Sequence, residues 1–106
     1  MKHFADAHAE SQFAADKMKK NNLFTTERLF CDVYCFEPGQ AQSAHAHGGS
    51  DKVYYVIEGT ARLSIGTDER EVGAGTAALA PAGVSHAVVN PGPTRLKLLV
   101  LMAPKP

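Results

Sequence analysis

Short apolar runs separated by turn-forming residues occupy most of the chain. From Leu23 onward, glycine and proline clusters recur about every eight to twelve residues, and the runs between them are rich in β-branched and aromatic residues. These runs are RLFCDVYCF, QAQSAHAH, KVYYVIE, ARLSIG, REV, TAALA, SHAVV and RLKLLVLM. No helical period of useful length interrupts residues 27–103, so the pattern does not indicate βαβ units. It predicts an all-β sandwich or barrel.

The beginning of the chain follows a different pattern, because it is polar and rich in alanine. A short helix is predicted over residues 11–18, capped by Ser11 and ended by Asn21 and its neighbouring asparagine. The capping box lacks its usual glutamate or glutamine, so the start signal is only partial. We therefore divide the chain into an N-terminal helical arm, residues 1–22, and a barrel domain, residues 23–106.

Length, composition and charge narrow the class of protein. A chain of 106 residues makes one domain. Its 44% of hydrophobic and 21% of charged residues are ordinary for a globular protein, which argues against disorder and coiled coil. Eleven basic residues balance eleven acidic ones. We expect neither nucleic-acid nor membrane binding, because both need a basic field that this balance does not build.

The expected location is the cytoplasm. The N-terminal segment has no apolar region of the kind found in secretory signals, and no run approaches the length of a membrane span. Cys31 and Cys35 lie four residues apart in an extended run, which separates them by about 13 Å, beyond the ~7 Å Cα limit for a disulfide. They are predicted to be buried or half-buried free thiols in a reducing compartment.

Three histidines are the candidate functional residues. His45 and His47 stand two apart in a strand-like run, so their side chains point to the same face and could converge on one cation. His86 begins another strand after a tight turn. Three surface histidines in loops are the plainer alternative. Against it, the other two histidines, His3 and His8, both lie in the N-terminal arm.

The glycines and prolines around these histidines stand at the spacing of two known motifs. The matching residues are Gly39, His45, His47, Gly59, Gly75, Pro81, Gly83, His86 and Asn90. On this pattern, which spans residues 39–90, the chain resembles a small single-domain cupin of the cupin-2 type. Independently of any family, glycines at such positions would supply the sharp turns and positive φ values of barrel corners.

The resemblance implies a cupin jelly-roll barrel with a metal ion in its mouth. The family's metal-binding histidines correspond here to His45, His47 and His86. One divalent transition metal is then expected per chain, with Fe, Ni, Zn, Cu or Mn as candidates. All-histidine ligation favours Fe, Ni, Cu or Zn over Mg or Ca, which prefer oxygen ligands.

A three-histidine site leaves coordination positions open for a substrate. The predicted function is a metal-dependent enzyme acting on a small carboxylate or diketone-like substrate, of dioxygenase, isomerase or lyase type. The alternative is a non-catalytic barrel that binds a small molecule. It remains open because the candidates for a catalytic group beyond the metal are few, namely Lys52, Asp51 and an inward-facing tyrosine.

One family ligand does not carry over. Cupins of this type normally have a glutamate seven residues before the closing glycine of the first motif, and counting back from Gly59 gives Lys52, preceded by Asp51. A three-histidine site with water, a site completed by Asp51 after a one-residue shift, and an emptied site are the alternatives. The motif spacing turns Lys52 inward, whereas the apolar alternation along the strand turns Val53 and Tyr55 inward. Since an ammonium beside a cation is unfavourable, we predict that Lys52 points away and that Asp51 lies near the site as a possible fourth ligand or supporting residue.

The last strand predicts a homodimer. Residues 96–102 are apolar on both faces after Lys97, so one face can fill the barrel while the other needs a cover. The N-terminal arm looks too polar to supply it, and a second subunit is therefore expected. The resemblance also implies a dimer.

Overall fold

The computed structural model describes residues 2–106, which form two antiparallel β-sheets facing each other across one core. The strands are β1 (Lys19–Thr25), β2 (Phe30–Phe36), β3 (Ala41–His45), β4 (Asp51–Glu58), β5 (Thr60–Ile65), β6 (Asp68–Gly73), β7 (Ala77–Ala80), β8 (His86–Val89) and β9 (Leu96–Ala103). Strands and turns account for the described range, with no helix in it, so the all-β prediction is confirmed. That range accordingly holds no helix that is long and apolar enough to cross a membrane.

Non-consecutive strands lie side by side in both sheets. The larger sheet has the order β1-β2-β9-β4-β7 and the smaller one the order β3-β8-β5-β6, with antiparallel pairing throughout. The chain therefore passes repeatedly from one sheet to the other, as in a jelly roll. This topology brings β3, β4 and β8, which carry the candidate site, around one end of the core.

Strand β9 shows how the core is filled. Leu96, Leu98 and Val100 alternate along the strand and are fully buried between the sheets. Their neighbours on the opposite face, Leu99 and Leu101, are half-buried. Side chains alternate across a strand, and β9 is apolar on both faces. It therefore contributes to two separate hydrophobic clusters, one inside the barrel and one outside it.

The structure explains why two turn positions of the sequence motifs are occupied by glycine and asparagine. Gly59 has φ +87°, and a Cβ there would collide with the carbonyl oxygen of Arg95, so only glycine fits between β4 and β5. Asn90 is buried, and its Oδ1 accepts a 2.9 Å hydrogen bond from the Gly92 amide. Its Nδ2 donates to the carbonyl oxygen of Phe36 at 3.0 Å, which ties this turn to β2.

The predicted N-terminal helix is wrong. Residues 11–18 form no helix, and the Ser11 hydroxyl donates to the Ala7 carbonyl instead of capping one. Strand β1 begins at Lys19, so Asn21 lies within a strand that runs across the predicted boundary between residues 22 and 23. A helix of two turns is marginal by itself, and here the competing interaction is packing of the arm on the larger sheet.

The arm covers part of the outer face of the larger sheet. Ala5, Ala7 and Phe13 pack against a cluster that includes Cys31 and Cys35. Both cysteines are buried free thiols, as predicted, and burial raises the pKa of each. The premise that the arm is too polar to cover this face is therefore wrong, because three of its apolar side chains pack on the sheet.

Candidate metal centre

The two histidine-bearing segments are neighbours in the smaller sheet. His45 ends β3 and His86 begins β8, and the two residues are directly paired across these antiparallel strands. His47 follows two residues after His45, beyond the end of β3. Its carbonyl oxygen accepts a 2.7 Å hydrogen bond from the Gly83 amide, which ties the segment after β3 to the turn before β8.

The three imidazoles converge on a small volume. The ring centroid of His45 lies 4.2 Å from that of His86 and 5.0 Å from that of His47, and the centroids of His47 and His86 are 5.7 Å apart. One ring nitrogen from each residue lies within 4.8 Å of those of the other two, so a single ion could contact all three.

Backbone carbonyls orient two of the rings. The Nδ1 of His45 lies 2.9 Å from the carbonyl oxygen of Ser43, and the Nδ1 of His86 lies 3.0 Å from that of Val84. A carbonyl oxygen can only accept, so each Nδ1 carries the proton and donates it. The Nε2 of each neutral ring is then left with a free lone pair, which is the arrangement found in metal-ligating histidines.

The Nε2 of His86 has no hydrogen-bond partner although it is buried, and His86 is only 2% exposed. A buried polar atom without a partner is costly, so such an atom calls for an explanation. A cation between the three histidines would satisfy it. Among the described residues, the group that could hold an ion consists of these three imidazoles and includes no carboxylate, a donor set that suits a divalent transition metal.

Metal binding is expected to depend on pH through these imidazoles. Burial lowers the pKa of His47 and of His86, and nearby positive charge, including that of Lys52, adds to this shift. Both rings therefore stay neutral to a lower pH than an exposed histidine would. Zinc affinity should be nearly constant above about pH 7 and fall below about pH 6, where protons compete for the ligand nitrogens. Calorimetric titrations with zinc from about pH 8 down to about pH 5 would measure the fall.

Substituting the two arm histidines provides the control for that titration. His3 and His8 lie outside the three-histidine group, so a variant with alanine at both positions should give the same pH profile. Zinc affinity that is unchanged well below the ordinary pKa of histidine would show that these imidazoles are not the ligands.

The structure contradicts the prediction that Lys52 points away from the site. Lys52 is 1% exposed and shares the inner face of β4 with Tyr54 and Val56, whereas Tyr55 is 41% exposed. The alternation argument was wrong because it took the more apolar set of β4 side chains as the inward one, which requires a one-residue slip relative to the motif spacing. Instead, the pairing of β4 with β9 is regular from Asp51 to Val56 and shifts only after it. The motif spacing counted from Gly59 gave the correct face.

Aromatic rings and an amide surround the Lys52 ammonium. Its Nζ lies 5.1 Å from the ring centroid of Tyr34 and 5.0 Å from that of Tyr54, and it donates to the Oε1 of Gln42 at 3.4 Å. Burial lowers the pKa of Lys52 from 10.5 to about 8, and the neighbouring Lys20 adds to the shift while Asp32 opposes it. Removal from water also raises the pKa of Tyr54 well above its usual value.

Asp51 lies on the opposite face of β4. Its side chain is exposed, and its Oδ1 accepts a 2.9 Å hydrogen bond from the amide of Ala82, in the turn that leads to His86. The carboxylate is not a member of the histidine group. The structure thus places Asp51 where it supports the segment before β8.

A cavity of about 320 Å³ opens beside the histidines, a volume at the small end for ligand sites. Its lining residues are Lys20, Phe30, Tyr34, Gln42, Ser43, His45, His47, Lys52, Met102 and Pro106. Another cavity, of about 330 Å³, lies along β5, β6 and β7 and contains none of the three histidines. The candidate functional site is the first cavity, because the three imidazoles that could hold a metal ion converge beside it.

Sequence reasoning missed Tyr34, Gln42 and Lys20 as residues of this cavity. Alternation along β2 would have placed Tyr34 inside, next to the inward-facing Phe36. The same reasoning could not have placed Gln42 in the cavity. The register of β3 against β8 shifts between Gln42 and His45, so two residues that strict alternation puts on opposite faces both line the cavity.

The fold and the site together define a class of protein, a double-stranded β-barrel with three histidines converging near one end of its core. The chain belongs to the cupin family, since its residues 32–102 match the family model for the cupin domain. This confirms the resemblance indicated by the motifs.

Individual proteins are also similar to this chain. The structure of TT1209 from Thermus thermophilus superimposes with a TM-score of 0.94 at 42% identity, covering 97% of this chain and 98% of that one. A Klebsiella pneumoniae protein with a double-stranded beta-helix domain gives a TM-score of 0.91 at 22% identity, covering 98% and 91%. The protein SCO3923 of Streptomyces coelicolor is 28% identical over 86 residues, which is 81% of each chain.

Proposed function

We propose that this cupin is a metal-dependent enzyme, with one divalent transition metal per chain held by His45, His47 and His86 and a small carboxylate or diketone-like substrate. The observation that carries the proposal is the buried, unpartnered Nε2 of His86 beside the ring nitrogens of two other histidines. Fe, Ni, Zn, Cu and Mn are the candidate metals. A bound metal would supply a Lewis acid that polarises a substrate oxygen, and a redox-active one would also allow dioxygenase chemistry.

The position of Lys52 favours an enzyme over a barrel that only binds. A pKa of about 8 leaves the Lys52 amine able to hold or release a proton near neutral pH, which is what a general acid or base requires. It lines the same cavity as His45 and His47. Gln42 accepts hydrogen bonds from both Lys52 and Tyr54, at 3.4 Å each, and so helps to fix the position of the amine.

Turnover experiments separate the enzyme from the binding barrel. Protein loaded with each candidate metal would be incubated with a panel of small carboxylates and diketones, in air and under nitrogen, and substrate loss followed by NMR. We expect consumption of at least one compound, lost in His86→Ala. Dependence on oxygen would indicate a dioxygenase, and independence an isomerase or lyase. Saturable binding without consumption for every metal would support the non-catalytic alternative.

The free buried thiols support a cytoplasmic location.

We also propose that the chain forms a homodimer through the uncovered part of the larger sheet. The arm packs against one part of the outer face, and beyond it Tyr55 is 41% exposed and Leu79 is 54% exposed. Val53 is directly paired with both Leu79 and Leu101 on this face, so the apolar patch is continuous with the covered cluster. An apolar surface of this kind is typical of an interface.

Replacing Leu79 by aspartate should convert the dimer into a monomer, because a charge would replace an exposed apolar side chain of the proposed contact. Light scattering at micromolar concentration measures this directly. Glu69→Asp, an exposed change on β6 in the other sheet, is the control and should leave a dimer. A monomeric wild-type protein would contradict the proposal.

A further inference from the structure

The charge of Lys52 is unusual for a buried side chain. Burial of an ammonium is expensive unless an anion or several acceptors compensate it. Among the described residues, Lys52 forms no ion pair, and its one hydrogen bond is the 3.4 Å contact with the amide oxygen of Gln42. An ammonium has three N–H donors, so two of them have no acceptor among those residues.

The charged groups near Lys52 leave its ammonium without an ionic partner. The Nζ of Lys20 lies 5.3 Å from the ring centroid of Tyr34, the ring over which Lys52 also lies. One carboxylate is near, that of Asp32, but its Oδ1 accepts a 2.8 Å hydrogen bond from Asn22 and forms no ion pair with either lysine within 4.0 Å. The other ionisable side chains along the cavity, those of Tyr34 and the histidines, are not anions at neutral pH. Pro106, at the end of the described chain, also lines the cavity, but its carboxylate forms no ion pair with either lysine within 4.0 Å.

A metal in the three-histidine site would increase this excess of positive charge. The ammonium of Lys52 is already close enough to lower the pKa of His47 and of His86. A dication held by neutral ligands leaves its charge uncompensated, and a lysine nearby cannot neutralise it. A negatively charged ligand in the cavity would satisfy the metal, the free donors of Lys52 and the charge of Lys20 at once.

We propose that Lys52, assisted at the rim by Lys20, forms an anion subsite that selects a small carboxylate as the ligand of this cavity. The inference deepens the proposed function, on which it rests, because it chooses the carboxylate over the neutral diketone. A carboxylate can accept from the ammonium with one oxygen and leave the other for the metal. The cavity volume of about 320 Å³ is at the small end of the range for ligand sites, which favours a small carboxylate over a large one.

Malonate is the probe, and malonamide is its neutral counterpart with the same skeleton. Calorimetry would compare both with zinc-loaded wild-type protein, with Lys52→Met and with Lys17→Met, which removes an exposed lysine of the arm. Malonate should bind the wild type at least about tenfold more tightly than malonamide does, and Lys52→Met should remove this preference. Lys17→Met should behave as the wild type. Lys20→Met should have a smaller effect, because Lys20 is exposed.

Zinc content measured on the same samples distinguishes a failure of the anion-subsite proposal from a failure of the metal-site proposal. One zinc per chain in Lys52→Met with malonate affinity unchanged would overturn the anion subsite and leave the metal site intact. A wild type without zinc would overturn the metal site, and malonate binding that still depends on Lys52 in that protein would support the subsite alone. Failure of the wild type to bind malonate, or tighter binding of inorganic phosphate than of malonate, would overturn the assignment to a carboxylate. If Lys52→Met does not fold, Lys52→Gln replaces it and should lose the same preference.

Discussion

Replacing Lys52 by methionine is expected to stabilise the protein. The lowering of the Lys52 pKa from 10.5 to about 8 means that burial of the ammonium costs about 3 kcal/mol at neutral pH. Methionine has a similar length, fills the same space between Tyr34 and Tyr54, and carries no charge. Gln42 still accepts from the Tyr54 hydroxyl in the variant, so no buried acceptor loses its last partner. Allowing for the lost contacts, we expect a gain of about 1–3 kcal/mol, or roughly 5–15 °C in Tm.

The gain should depend on pH in a defined direction. Between the folded pKa of about 8 and the unfolded value of 10.5, the folded wild type binds fewer protons than the unfolded chain, so its stability rises with pH in this window. The advantage of the methionine variant is therefore full below about pH 8 and shrinks above it. Thermal unfolding at neutral and at alkaline pH measures both values, with Lys17→Met as the control that should change neither. A variant less stable than the wild type at pH 7 would contradict this account of Lys52.

Removing one histidine is expected to abolish stoichiometric metal while the barrel remains folded. His47 lies after the end of β3 and is only partly buried, so His47→Ala leaves the core intact. Two imidazoles remain, which is too few for a stable site built from three. Metal per chain should fall from about one to near zero, and the circular dichroism spectrum should stay that of the wild type. His3→Ala, in the arm, is the matched control and should keep its metal.

The gain in stability expected for Lys52→Met and the loss of metal expected for His47→Ala both arise from the polar groups buried at this cavity. A cavity that holds a buried ammonium and an unpartnered imidazole nitrogen is unfavourable for folding and useful for binding. Local rules are expected to fail at functional sites for this reason. Lys52 is the example in this chain. Hydrophobic alternation along β4 predicts that its side chain points outward, whereas in the structure it is buried and faces the cavity.

The fold was accessible from the sequence because its signals are local. Turn residues between short apolar runs predicted the strands, and the motif glycines predicted positive φ values, which Gly39, Gly59, Gly75 and Gly83 all have. The meeting of His45 and His86 at one site was implied by the family resemblance alone, and the structure adds that they are directly paired across β3 and β8. No single-strand pattern contains it, since it depends on which strands become neighbours.

Two features could not be predicted because they depend on tertiary contacts. The arm has a partial helix signal over residues 11–18, and packing of Phe13 on the larger sheet overrides it. The irregular register between Gln42 and His45 brings both side chains to the cavity, although alternation separates them. In both cases the deciding interaction is with residues far away in the sequence.

Metal content of the wild-type protein tests the central claim most directly. The protein would be purified without added metal or chelator and measured by elemental mass spectrometry, beside a variant that carries both His45→Ala and His86→Ala. We predict about one divalent transition metal per chain in the wild type and none in the double variant. Equal occupancy in the two proteins, or a wild type that neither carries nor takes up such a metal, would contradict the three-histidine site.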